Sequence, residues 1–265
     1  MSETAILTNI DSRGVATLTL NRPELHNAFD DKLIAELTDV LRELEEDSDV
    51  RLLLLASSGK SFSAGADLNW MHRMADYSRE QNLSDAEELA ELMRTLNTFS
   101  KPTIALVQGA AYGGGVGLVA CCDIAIATQR AAFCLSEVKL GLIPAVISPY
   151  VVAAIGSRMA RRYFLTAESF DATEAHRIGL VHQVVKDDKE LAAEAENQIS
   201  KLLVNSPNAM SAAKNLIADV VGRQVDDVLI AETAGRIADQ RSSLEGRAGI
   251  SAFFEKRRPS WVNEK

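Results

Sequence analysis

The residues best suited to chemistry are two short glycine-containing stretches and one glutamate. Gln108 to Asp123 reads QGAAYGGGVGLVACCD, behind an apolar run, Thr103 to Val107, with the length and composition of a buried strand. Tyr112 precedes three consecutive glycines, Gly113, Gly114 and Gly115, and Val116, Leu118, Val119, Ala120 and Cys121 continue as an apolar helix. A strand, a glycine turn and a buried helix leave the first N–H groups of the helix without partners, at an end that favours negative charge. Bare backbone lets a ligand oxygen come close to them, although close backbone packing would use glycines equally well. Ser63-Ala64-Gly65-Ala66-Asp67 is a second stretch of this kind. The acid is Glu137, inside the apolar segment FCLSEVKLGLIP. Burial would raise its pKa toward the range useful for proton transfer. The alternative is a strand-end glutamate paired with Lys139.

Other chemistries find less support. His26, His72, His176 and His182 are scattered without metal spacing. There is no Gly-x-Ser-x-Gly elbow, and the glycine run lacks the lysine and Ser/Thr of a phosphate-binding loop. Gly113, Gly115 and Gly117 do not have the spacing of a dinucleotide fingerprint either.

The elements that must position these residues follow from hydrophobic pattern. Residues 5–9 and 15–20 alternate as strands around a turn at Asp11 to Gly14. Pro23 ends the second strand, and Asn27 is placed to cap a helix with Phe29, Leu33, Ile34, Leu37, Val40, Leu41 and Leu44 on one face. Arg51 to Ala56 reads as a buried strand. Residues 72–101 read as a polar helix that turns Met74, Leu89, Leu92, Met93 and Leu96 inward, with Asp76 to Asp85 only weakly patterned. Short strands are expected at 123–127 and 132–135, and a loop at 136–150. Helices are expected at 158–166, 171–177, 187–204, 208–222, 225–241 and 244–257. Strands and helices thus alternate in the first half and helices fill the second, an α/β chain.

The 265 residues suit one large domain, or one with a small appendage. A net charge of −9, with only Lys256-Arg257-Arg258 as a short basic patch, argues against nucleic acid as a partner. The first residues lack a signal-peptide pattern and no apolar run reaches membrane-spanning length. Cys121, Cys122 and Cys134 lie in apolar contexts and are odd in number, which suits reduced core thiols in a cytoplasmic protein.

Taken together, LNRPELHNAFD, FSAGADLNWM, GAAYGGGVGLVACCDIAIA, FCLSEVKLGLIP, ARRYFLTAESFDATEAHRIGLVHQVV and FFEKRRPSW resemble the crotonase, or enoyl-CoA hydratase/isomerase, superfamily over nearly the whole chain. The resemblance implies a core of repeated ββα units over residues 1–200 and a C-terminal helical region, 201–265, that forms homotrimers, usually paired into hexamers. It implies an acyl-CoA thioester substrate, with CoA as part of that substrate and no separate cofactor or metal. By motif position the backbone N–H groups of Ala66 and Gly114 would form the oxyanion hole, and Leu25, His26, Ala64, Ala66 and Lys256 would hold CoA. Glu137 falls at the second of two family glutamates. The first falls at Gly117, which has no side chain, so a two-carboxylate mechanism does not carry over. GADLNWM, LIPAVISPYVVAAIG and ARRYFLTAE are similar to bacterial 3-methylglutaconyl-CoA and isohexenylglutaconyl-CoA hydratases of leucine and acyclic terpene degradation, which points to hydration. The substrate pocket would draw on Trp70, His72, Arg73, Tyr112, Gly117 and Lys139. His72, Arg73 and Lys139 would be candidates to meet a distal carboxylate. One glutamate could instead shuttle a proton between two carbons, as in a Δ3,Δ2-enoyl-CoA isomerase, or the fold could bind acyl-CoA without catalysis.

Overall fold

The computed structural model describes residues 4–262, which fall into two compact units. Among the described residues the first comprises 4–99 and 103–197, the second 100–102 and 198–262.

The first unit is built on two sheets. One has six strands: β1 (Ile6–Ile10), β2 (Val15–Leu20), β3 (Leu52–Ser57), β5 (Thr103–Val107), β7 (Ile124–Thr128) and β10 (Gln183–Val185), in that spatial order. The β1–β2 hairpin is antiparallel, with Ile6 opposite Leu20, and the remaining pairs are parallel. The second sheet is smaller, in the order β4 (Ser61–Ser63), β6 (Ala110–Tyr112), β8 (Ala132–Cys134) and β9 (Phe170–Asp171). Successive strands therefore alternate between sheets: β3, β5 and β7 enter the large one, and β4, β6 and β8 the small one. Helices follow these pairs, which gives repeated ββα units. The parallel strands are nearly continuous apolar runs, as strands covered on both faces must be. Leu52, Leu53, Ile104, Ala105, Val107, Ile126 and Ala127 all lie in the core.

Helix α1 (Asp31–Glu46) buries Leu33, Ile34, Leu37, Leu41 and Leu44. Its N-cap is Asp30, whose side chain accepts from Leu33 N at 3.0 Å, and not Asn27. Asn27 sits fully buried in a left-handed conformation (φ 54°), accepting from Arg22 N and donating to the carbonyls of Ser58 and Ser61. Its amide fixes a loop where a cap was expected. The helical stretch expected over 72–101 is two helices, α2 (Leu68–Met74) and α3 (Arg79–Asn97). The weakly patterned segment contains the start of α3, closed by a capping box between Ser78 and Gln81. Helix α4 (Gly114–Cys121) follows β6 directly. Past a 3-10 turn (Glu137–Leu140), α5 (Ser148–Thr166) begins earlier than expected and kinks at Gly156, so its second half covers the expected 158–166. Helix α6 (Ala172–Arg177) precedes β10, and α7 (Asp188–Leu203) crosses the boundary between the units.

The second unit is helical, with α8 (Pro207–Val220), α9 (Asp227–Ser242) and α10 (Leu244–Phe254). Glu245 accepts from Ser206 Oγ and, at 2.9 Å, from Asn208 Nδ2. Trp261 Nε1 donates to Val204 O at 3.2 Å. Among the described residues no helix is long and apolar enough to cross a membrane.

Candidate active site

Contacts link four loops of the first unit in succession, from the segment after β2 to the turn that carries Glu137. The segment from Arg22 to Phe29 leaves β2 through a 3-10 turn at Pro23–Leu25, and His26 and Asn27 take left-handed conformations. That bend aims the His26 carbonyl at Ala64 N (2.9 Å) and the His26 ring at Ser61 Oγ (3.0 Å). Leu25, His26 and Ala64 are exposed side by side along this strap.

Residues 63–67 are held from two directions. Ser63 Oγ donates to Asn27 O (2.9 Å) and accepts from Gly65 N (3.1 Å). Phe29 N donates to Gly65 O (2.9 Å), and Asp67 N donates to Phe29 O (3.0 Å), which makes Phe29 and Ala66 an isolated parallel bridge. This pattern uses the peptide groups on either side of Ala66, so the Ala66 N–H faces away from the bridge. Gly65 has φ +84°, and a Cβ there would lie 2.8 Å from Tyr112 O and 3.7 Å from Gly114 N. The two glycine stretches noted in the sequence are therefore in contact.

The second stretch opens α4. Gly113 N donates to Cys134 O (2.9 Å), and Gly113 O accepts from Val116 N (2.9 Å) and Gly117 N (3.3 Å). Gly113 itself has φ 50° and ψ −120°, a backbone open to glycine. Gly114 N, in the first turn, has no acceptor within the helix. Among the described residues no acceptor is found for Ala66 N or Gly114 N. Two uncommitted donors thus stand beside each other on separate loops.

Glu137 begins the 3-10 turn that ends at left-handed Gly141, and its carbonyl accepts from Leu142 N at 3.0 Å. Its side chain points at the head of α4, where a Cβ on Gly113 would lie 3.2 Å from Glu137 Oε1. Oε2 is enclosed, and no donor reaches it among the described residues. Burial holds this carboxyl above the ordinary carboxylate range, and no cation offsets it. Of the two sequence alternatives, the ion pair with Lys139 is not formed: Lys139 is exposed, and Glu137 Oε2 has no donor among the described residues.

The neighbourhood of Gly117 explains the absent second acid. A Cβ there would lie 2.3 Å from Ile147 Cγ2, 2.9 Å from Ile147 Cβ and 3.2 Å from Met93 Cε. Ile147 is 2% exposed and Met93 fully buried. The turn of α4 after Gly113 therefore carries a packed apolar wall where a second carboxylate would stand. Met93 reads in the sequence only as a buried helix residue, and Ile147 is not marked at all, because LIPAVISPY has no period that would make it the filler of a gap beside Gly117.

The other sequence candidates are dispersed. Trp70 is buried in the core, and its indole N–H donates to Asp85 (2.9 Å), whose pKa burial raises. Tyr112 is half-buried at the end of β6. His72 is exposed on α2, and Arg73 is committed to Asp31 at 2.5 Å. Lys256 belongs to the second unit, where it is exposed just beyond α10 with φ 56°. Among the described residues no cluster of His, Cys, Asp and Glu is arranged to hold a metal.

Two free N–H groups near an acid with an unpartnered oxygen can hold a carbonyl oxygen while the acid moves a proton at the adjacent carbon. Comparison with known proteins identifies the family of the chain. Residues 11–264 match the family model described as Enoyl-CoA hydratase/isomerase. An enoyl-CoA hydratase of Shewanella pealeana ATCC 700345 superposes with a TM-score of 0.94 at 51% identity, over 97% of this chain and 96% of that one. A structure from Legionella pneumophila subsp. pneumophila str. Philadelphia 1 that carries the crotonase name gives 0.92 at 47% identity, over 98% and 100%. The 1,2-epoxyphenylacetyl-CoA isomerase of Escherichia coli (strain K12) is 34% identical over 98% of both chains. The chain belongs to the enoyl-CoA hydratase/isomerase family and has the crotonase fold.

Proposed function

We propose that the chain is an enoyl-CoA hydratase that adds water across the 2,3 double bond of an acyl-CoA thioester with Glu137 as its single acid–base group. The observation that carries this reading is Glu137 at the N-terminus of α4, its Oε2 enclosed without a donor among the described residues, beside two free backbone donors. The thioester oxygen accepts from Ala66 N and Gly114 N. Glu137 takes a proton from water, the hydroxide adds to C3, and the π electrons move toward the thioester oxygen. The donors stabilise the enolate charge, each contributing about 3 kcal/mol. Glu137 then returns its proton to C2, so the acid is regenerated and one water is consumed. CoA runs along Leu25, His26, Ala64 and Ala66, with Lys256 of a neighbouring subunit meeting its phosphates, and needs no separate cofactor. The assembly is a homotrimer or a pair of trimers in the cytoplasm.

For the acyl part we assign a branched glutaconyl thioester, of the 3-methylglutaconyl or isohexenylglutaconyl type. Lys139 and His72 are exposed and uncommitted among the described residues, so either is free to meet a distal carboxylate, whereas Arg73 is already paired with Asp31.

The apolar wall of Ile147 and Met93 favours a second reading. With no second carboxylate over Gly117, the same acid could take a proton from C2 of a 3-enoyl thioester and return it to C4, which is isomerisation. The absorbance of the conjugated thioester separates the two. Loss of the band with crotonyl or methylglutaconyl thioester is hydration, and gain with a 3-enoyl thioester is isomerisation. A higher kcat/KM for the methylglutaconyl than for the crotonyl thioester is expected, and the reverse order would remove the glutaconyl assignment.

A further inference from the structure

Phe29 touches both donor loops at once. Its own peptide groups bracket Ala66, through Phe29 N to Gly65 O at 2.9 Å and Asp67 N to Phe29 O at 3.0 Å. Its ring lies against the first turn of α4, where a Cβ on Gly114 would stand 2.4 Å from Phe29 Cζ and 2.8 Å from Cε2. The ring is 1% exposed, so it has no freedom to swing away. Phe29 is itself anchored on both sides. Asp30 caps α1 immediately after it, and the buried Asn27 amide ties the preceding bend to Arg22, Ser58 and Ser61.

We infer that Phe29 is a positioning residue that sets the distance between the Ala66 and Gly114 N–H groups. This rests on the reading of those groups as the thioester site. The two donors belong to loops far apart in sequence, and an oxyanion site works only while both point at one oxygen. A strand bridge fixes Ala66 relative to the Phe29 backbone, and the ring fixes Gly114 relative to the same residue. The absence of a Cβ at Gly114 lets the ring meet the backbone directly. Any residue at 29 could keep the bridge, but only a side chain that reaches as far as Cζ supports Gly114.

The test compares wild type with Phe29→Leu, Gly114→Ala and the double variant. The probe is a cinnamoyl-CoA with a para-dimethylamino group, whose absorption moves to longer wavelength when donors pull on its carbonyl. Wild type should bind the probe and shift its band. Phe29→Leu, which keeps the bridge and withdraws the ring tip, should bind with nearly the same Kd and lose most of the shift. Its turnover should fall about tenfold to a hundredfold with KM nearly unchanged. A full shift with wild-type turnover in Phe29→Leu overturns the inference. If Phe29→Leu does not fold, Phe29→Met replaces it in the single and double variants; the remaining variant is Gly114→Ala, whose methyl pushes on the ring from the other side. It should lose the shift, and the double variant should regain part of it, because leucine vacates the space the methyl needs. No recovery in a folded double variant overturns the inference. Wild type that binds the probe without any shift removes the donor site itself and is distinguished by failing before any substitution is made.

Discussion

Glu137→Gln separates the catalytic cost of the unpaired acid from its cost to the fold. The substitution preserves shape and removes both the charge and the transferable proton. Turnover should fall by about 10² to 10⁴ while acyl-CoA binding stays close to wild type. The same change should stabilise the protein at neutral pH. Oε2 is enclosed without a donor, and Oε1 faces the bare backbone of Gly113. Leaving a buried polar group unpaired costs about 1–3 kcal/mol, and more when it is charged. The residue keeps a partly open side and the amide is also unpaired, so the difference between charged and neutral forms is on the order of 1 kcal/mol. For a chain of this size that corresponds to roughly 2–4 °C in Tm. The sign has a pH signature. Burial raises the folded pKa of Glu137 above its ordinary 4.5, so the stabilising protonated state is fully present below 4.5 and is lost as pH rises through the raised value. The Gln variant should therefore unfold at higher temperature than wild type at pH 7.5, and the gap should close toward pH 4. Thermal unfolding of both proteins across that range measures it. A Gln variant that is less stable at pH 7.5, or a gap that does not change with pH, would show that the folded protein does pair this carboxylate. A variant retaining more than a tenth of wild-type turnover would place the chemistry elsewhere.

The same raised pKa should put the acid limb of the wild-type kcat/KM profile above the ordinary carboxylate range, as one dominant ionisation, and a profile with two ionisations on that side would require a second acid. Gly117→Glu should destabilise the fold, because its Cβ begins 2.3 Å from Ile147 Cγ2, and adding Ile147→Ala should recover part of the loss; urea unfolding of the single and double variants checks the coupling. Lys256→Ala should raise KM for acyl-CoA and leave kcat nearly unchanged, with an effect that shrinks as salt is added; normal KM with low kcat would remove its assignment to CoA.

The sequence displays the parts of this site better than their arrangement. The β1–β2 hairpin, the buried face of α1 and the strand–glycine–helix unit from Thr103 to Cys121 all follow from local pattern, because one period or one turn signal decides each. The short strands of the second sheet do not. Ser61–Ser63, Ala110–Tyr112 and Phe170–Asp171 are too brief to show a period, and their pairing depends on partners distant in the chain. Asn27 and Asp30 are both good cap residues, and which one caps α1 is decided by the carbonyls of Ser58 and Ser61, which take the Asn27 amide. Glu137 stands out as an acid among apolar residues, but whether it is paired depends on what surrounds Oε2. Phe29 reads only as a core residue of a helix face. Its contact with Gly114 is invisible until both loops are folded.

The glycines of α4 carry a consequence for how this site can change over generations. Beside Gly114 stands the Phe29 ring, beside Gly115 the Ser63 carbonyl, which a Cβ on Gly115 would approach to 2.8 Å, and beside Gly117 the Ile147 side chain. Each glycine is locked by a different neighbour, so no single repacking admits side chains at more than one of them. A second carboxylate over α4 therefore lies across a mutational valley. Gly117→Glu alone meets Ile147, and shrinking Ile147 alone opens a void in the core. Neither half-step is an improvement by itself, and the benefit of each depends on the other being present. Descent from this chain can vary exposed side chains such as Leu140, Leu142 and Ile143 one residue at a time, while a carboxylate at position 117 stays out of single-step reach.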